Sequence, residues 1–141
     1  MDNRVIAAYQ QLGFKIVVDP SVNYSGYFDA RSRSITMKQI DDSVYHELGH
    51  FLAFIAGNVD KTASFQSIFA AEKANVTAFN KAYVTQNASE YFAESVKDYI
   101  LNNASLKSTR PQTYAAVQNA LNQITDAQIA KIQKIYGAFW N

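Results

Sequence analysis

The sequence has no cysteine, which removes disulfides and thiolate metal ligands together. Histidine is almost as scarce, with two in 141 residues. Neither sign of charge is in excess: the formal net charge is +1, which gives no electrostatic footprint for nucleic acid or for an anionic membrane. The charged share of 18% is lean for a soluble domain, yet no apolar run approaches the length needed to span a bilayer. The N-terminus, Met1-Asp2-Asn3-Arg4, leads straight into an amphipathic segment and lacks the apolar core of a signal peptide. Repeats, linkers and low-complexity tracts are also missing. The expectation is one domain over residues 1–141, large enough to bury a core without cross-links.

Both histidines fall in one motif, His46-Glu47-Leu48-Gly49-His50, an HExxH pattern. On an α-helix, positions four apart lie on one face, so both imidazoles can reach a single metal ion. Glu47 stands beside them as the group that takes a proton from an activated water, not as a ligand. The plain alternative is an amphipathic core helix with two satisfied histidines. With no cysteine and no third histidine, a third protein ligand has to be a carboxylate, tyrosine being the less favoured donor. The same absence excludes a deformylase, which uses HExxH with a cysteine ligand. A metzincin would place glycine and histidine where Ala53 and Ala56 stand, so that class is excluded too.

The order of elements reads as α+β. Residues 4–12 carry Val5, Ile6, Tyr9 and Leu12 on one helical stripe, and Gly13 stops it. Residues 14–18, 24–28 and 33–38 read as strands of a small, mainly antiparallel sheet, with Ile35 and Met37 facing one way. Helices follow: the motif helix between Asp41-Asp42-Ser43 and Gly57, then 62–73, 87–101, one opened by Pro111, and 126–136. Gly49 is costly inside a helix, which suggests that another backbone approaches closely there. Four Asn-x-Ser/Thr sequons, at Asn23, Asn75, Asn87 and Asn103, are read as caps and turns.

The downstream glutamates are Glu72, Glu90 and Glu94. Glu90 and Glu94 lie four apart, so one can bind a metal while the other holds a histidine through its second ring nitrogen. A capping box from Asn87 to Glu90, with Glu94 paired to Lys97 on a solvated face, accounts for the same residues. On spacing alone both readings stand.

From His46 onward the sequence resembles the zincin metallopeptidases of the anthrax lethal factor catalytic domain and the bacterial Pro-Pro endopeptidases. The likeness rests on HELGH followed by Ala56-Gly57 and Asp60-Lys61, on Tyr83 seven residues before Glu90, and on Glu90-Tyr91-Phe92-Ala93-Glu94. It implies a zincin-like catalytic domain holding one Zn2+ on His46, His50 and Glu90. It also implies that Glu94 supports a histidine and that Tyr83 lies over the metal. With Glu47 as general base, that is a zinc metalloendopeptidase acting on a protein or peptide substrate, with Tyr83 assisting, expected as a monomer with no nucleic-acid or membrane partner. Secretion follows from the resemblance, although the sequence shows no signal peptide and a cytoplasmic location also fits. The tryptophan that Pro-Pro endopeptidases place near the scissile bond has no counterpart, since the one tryptophan is Trp140. Proline specificity is therefore not carried over. The substrate is expected to lie along residues 34–38 as an edge strand. Two other functions compete: a non-catalytic binding module on the same fold, and a metal-dependent hydrolase of a non-peptide substrate.

Overall fold

The structure is a computed structural model, and it describes residues 1–140. Helix α1 (Asn3–Gln11) starts at Asp2, whose carboxylate accepts the Arg4 N–H at 2.8 Å. It ends where Gly13 adopts φ +78°, a left-handed conformation that suits glycine. Strands β1 (Lys15–Val18), β2 (Gly26–Asp29) and β3 (Ser34–Met37) follow.

The sheet order is β1-β3-β2, with β3 parallel to β1 and antiparallel to β2. The expected mainly antiparallel sheet is thus corrected to a mixed one. The tight turn at Asp29 to Arg33 fixes β2 against β3 locally. The return of β3 alongside β1 is a long-range pairing that no local pattern encodes. The expectation that residues 34–38 form an open edge is overturned for the same reason, because β3 is paired on both sides. The free edges belong to β1 and β2. Ile35 and Met37 do face the core, as their alternation implies.

Helix α2 (Ser43–Ile55) carries the HExxH motif and is buried along most of its length. Asp41, one residue ahead of the N-cap Asp42, accepts the Ser43 N–H at 2.9 Å, and Gly57 at φ +91° follows the helix end. Then come α3 (Ala63–Glu72), α4 (Lys81–Val84), α5 (Ala88–Leu101), α6 (Asn103–Thr109), α7 (Pro111–Asn122) and α8 (Asp126–Trp140). No described helix is long and apolar enough to cross a membrane. Helices α4 and α6 have no counterpart among the expected elements. Four residues are too few to show a period, and α6 buries only Leu106. Helix α8 runs four residues past the expected end because Trp140 packs on Phe14 and Phe54 while its indole donates to the Ala30 carbonyl at 3.0 Å.

Two polar clusters tie the helices together away from the histidines. Glu72, 5% exposed, accepts from the Gln112 and Thr113 amides and from the Thr113 hydroxyl, capping α7 from the end of α3. Arg110, also 5% exposed, donates to Asp98 at 2.5 Å and to Ser95 at 3.2 Å, and lies over the Tyr91 ring.

The core crossing is between α2 and α5, and Gly49 sets its distance. A Cβ built there would lie 2.6 Å from the Ala93 carbonyl oxygen and 2.7 Å from its Cα. The close backbone approach suggested by the sequence is therefore present, and rigid backbone atoms cannot yield as a side chain would. Gly49→Ala is expected to destabilise the protein by about 1–3 kcal/mol through overpacking, against a helix-propensity gain of about 1 kcal/mol. Urea unfolding measures this. A midpoint equal to or above that of the parent protein would show that the helices can part without cost.

Candidate metal centre

Helices α2 and α5 place two glutamates of α5 opposite the two histidines of α2. The Glu90 carboxylate bridges both imidazoles: Oε2 lies 3.0 Å from His46 Nε2 and Oε1 lies 3.0 Å from His50 Nε2. Glu94 Oε1 lies 2.9 Å from His46 Nδ1. One ligating atom from each of His46, His50 and Glu90 comes within 4.8 Å of the others, so the three can share one ion. Asn87 caps α5 by accepting the Glu90 N–H at 2.8 Å. The capping role and the donor role of this segment coexist, since one uses the Glu90 backbone and the other its side chain. Glu72 is remote from this group, capping α7.

The electrostatics follow from the geometry. Burial disfavours charge on His46, but the hydrogen bonds that its ring donates to Glu90 and Glu94 outweigh it and push its pKa up to about 9. Burial likewise opposes ionisation of Glu90 and Glu94. Contacts with the histidines win, and both carboxyls sit below their ordinary range. Glu47 goes the other way, raised by burial although the His46 and His50 charges pull against it. A buried acid poised upward is a better proton acceptor near neutral pH than an ordinary carboxylate.

The donor set fits a divalent cation. With Glu94 holding the Nδ1 proton of His46, Nε2 faces Glu90 and is the nitrogen left to bind a cation once it gives up its proton. Three carboxylates surround two imidazoles, an excess of negative charge that a divalent ion would neutralise.

Tyr83, on α4, stands with its ring centroid 6.4 Å from that of His46 and is 54% exposed. Partial burial and the Glu90 charge both raise its hydroxyl pKa, so it stays protonated and can donate. It lines a cleft of about 350 Å³ together with Gly26, His46, Glu47, Glu94 and Lys97. All six residues singled out from the sequence, His46, Glu47, His50, Tyr83, Glu90 and Glu94, thus converge.

Sequence reasoning missed two contributors on β2. A Cβ at Gly26 would lie 2.9 Å from Glu47 Cγ and 2.9 Å from Met37 Sδ, so the glycine leaves room for the Glu47 side chain. The Phe28 ring stacks at 6.4 Å on His50, and its backbone amide contributes to the Glu47 environment. A glycine inside a strand pattern was the available signal.

Comparison with known proteins agrees with this geometry. The chain matches the family model described as "Anthrax toxin lethal factor, N- and C-terminal domain" over residues 15–120. A "Pro-Pro endopeptidase" of Clostridioides difficile (strain 630) is 41% identical over 78 residues, covering 52% of this chain and 34% of that relative. The chain spans about a third of the length of the curated relative it matches. On the extent of the family match, the chain belongs to the anthrax toxin lethal factor family.

Proposed function

We propose that this chain is a zincin-like zinc endopeptidase in which His46, His50 and Glu90 hold the metal and Glu47 is the general base. The observation that carries the reading is the convergence of those three donors beside a buried, upward-shifted Glu47. A zinc ion held there supplies Lewis acidity, lowering the pKa of water toward neutrality and polarising a carbonyl. Glu47 takes the proton from the attacking water and returns it to the departing amine. The Tyr83 hydroxyl donates to the oxyanion that develops on the carbonyl. Glu94 holds the His46 ring in orientation through Nδ1.

The strand that supports substrate on this reading is β2. Ser25 accepts the Lys38 N–H at 3.1 Å, so by antiparallel alternation Tyr27 and Asp29 bond inward to β3. Gly26 and Phe28 turn their backbone groups to the open edge at the cleft. An extended peptide would pair there by β-augmentation. Retention of Glu47, the full donor set and Tyr83 weighs against a non-catalytic module. The likeness to an endopeptidase favours a peptide over a non-peptide substrate.

Separating metal binding from turnover tests this directly. Glu47→Ala is expected to keep one zinc per chain while peptide hydrolysis falls by at least about a hundredfold. His50→Ala and Glu90→Ala lose the metal itself. Full zinc content in Glu90→Ala, measured by metal analysis, would overturn the ligand assignment.

Gly26→Ala pushes a methyl group against Glu47, and both clashing partners are flexible side chains. The expected outcome is a fall in kcat of about 10–100-fold, from misplacing the base, with zinc retained. An unchanged kcat would separate Gly26 from the base.

Chelation should expose the internal pairing of the site. The His46 pKa is raised from 6.5 to about 9, so its stabilising contribution is complete below pH 6.5 and is lost as pH rises through 9. The lowered Glu90 and Glu94 contribute above their ordinary value of 4.5 and lose that contribution as pH falls. Chelated protein should therefore lose melting temperature between pH 6.5 and 9, whereas zinc-loaded protein, with His46 held neutral, should lose less. Parallel melting profiles for the two forms would contradict this.

A further inference from the structure

Next to the cleft lies a second, larger cavity of about 540 Å³, enclosed by the loop at Val76 to Asn80 and by α5 and α6. The two cavities share Asn80, Glu94 and Lys97, so they adjoin at these residues. The charged groups at the second cavity are Glu94, Lys97, Asp98 and Arg110. Glu94 is committed to His46 Nδ1 at 2.9 Å, and Asp98 to Arg110 at 2.5 Å. Asp41, the nearby acid on the α2 side, accepts from Ser43 and Gln39. Lys97 alone forms no ion pair or hydrogen bond among the described residues. The sequence-level pairing of Glu94 with Lys97 is not made, because Glu94 has turned to the histidine. Lys97 stands at the boundary of the two cavities with its ammonium in no direct contact with an acid, its charge acting only at longer range on Glu94 and Asp41, beside neutral polar groups such as Asn75, Asn102 and Ser105.

We propose that Lys97 and this cavity form a subsite that takes a carboxylate of the substrate peptide, making Lys97 a specificity-determining residue. The inference rests on the endopeptidase reading for the peptide, and on the cavity and its unpaired ammonium for the carboxylate. A carboxylate placed at this boundary reaches Lys97 and gains a charge-assisted hydrogen bond that no protein group now makes. The carboxylate has two sources, an acidic side chain or the C-terminus of the peptide. The cavity is closed on one side by Arg110 and Asp98, which already satisfy each other and offer no second charge.

Peptides cleaved from a randomised library are resynthesised as matched sets with Glu, Gln or Lys at each position flanking the scissile bond, with free or amidated C-termini. Zinc-loaded protein, Lys97→Met and Lys97→Glu are compared by kcat/KM, and the same peptides are titrated against Glu47→Ala for Kd. Zinc content and melting temperature establish that each Lys97 variant is folded. At one position Glu should exceed Gln by about tenfold, a ratio that collapses in Lys97→Met and inverts toward Lys in Lys97→Glu. A preference for a free over an amidated end that responds to Lys97 assigns the site to a terminal carboxylate. Cleavage with no acid preference, or with one that ignores Lys97, overturns the subsite and leaves the endopeptidase reading intact. If nothing is cleaved, random peptides with the same substitutions still decide through Kd. Acid preference dependent on Lys97 then upholds the subsite and sinks the endopeptidase reading, and its absence sinks both.

Discussion

The crossing of α2 and α5 at Gly49 and Ala93 is the contact on which the rest of the molecule depends. Helices in contact usually sit about 8–10 Å apart, with side chains filling the gap. Here one side chain is missing and the opposing backbone lies where its Cβ would be. The residues three before and one after the contact on each helix are thereby brought within direct reach. On α2 these are His46 and His50, and on α5 they are Glu90 and Glu94. A short glutamate side chain can touch two imidazoles at once only if the helices come this close. The apolar residues beneath, Phe51, Leu52, Phe92 and Val96, lock the crossing in place by burial.

The carboxylates of the site differ in kind from two acids held elsewhere in the protein, Glu72 and Asp98. Glu72 is satisfied inside the protein by two amides and a hydroxyl, and Asp98 by an arginine. Each is neutralised or fully hydrogen-bonded, as a structural buried charge must be. The site instead gathers Glu47, Glu90 and Glu94 around two imidazoles that carry at most part of the compensating charge. His46 is drawn to hold two protons between two carboxylates, which is why its pKa rises. Such an arrangement is costly as pure architecture and sensible as a receptor for a cation. This contrast separates a functional cluster from a stabilising one without reference to any relative.

How much was legible in the sequence follows from the range of each interaction. The motif helix, its flanking stop at Gly57 and the cap at Asn87 are local patterns, and all three are present as read. The meaning of Gly49 could be read because a glycine inside an apolar helix costs stability unless something packs against its bare backbone. Glu90 was ambiguous on spacing because its backbone and side chain serve two purposes, and only the fold reveals that they do not compete. The place of β3 in the middle of the sheet was not legible. Its hairpin with β2 is local, whereas its parallel pairing with β1 spans residues 19–33, β2 included, and leaves no periodic trace. Helix α4, four residues long, could not be read as a helix, although the family resemblance pointed to Tyr83 on it.

On the proposed reading, the sheet topology couples the base to the substrate edge more tightly than a β3 edge would have done. Gly26 belongs to β2, a strand with a free edge, and any side chain placed there would meet that of Glu47. With β3 in the middle, the residues at the cleft are those of β2 that alternate outward, and they are the same residues that define the space around Glu47. A peptide pairing along β2 would therefore be set in register by the strand that fixes the base. A carbonyl misplaced along that strand would miss the base and the three metal-ligating side chains together. Positioning of the substrate and positioning of the proton acceptor become one geometric condition, maintained by a glycine in a four-residue strand.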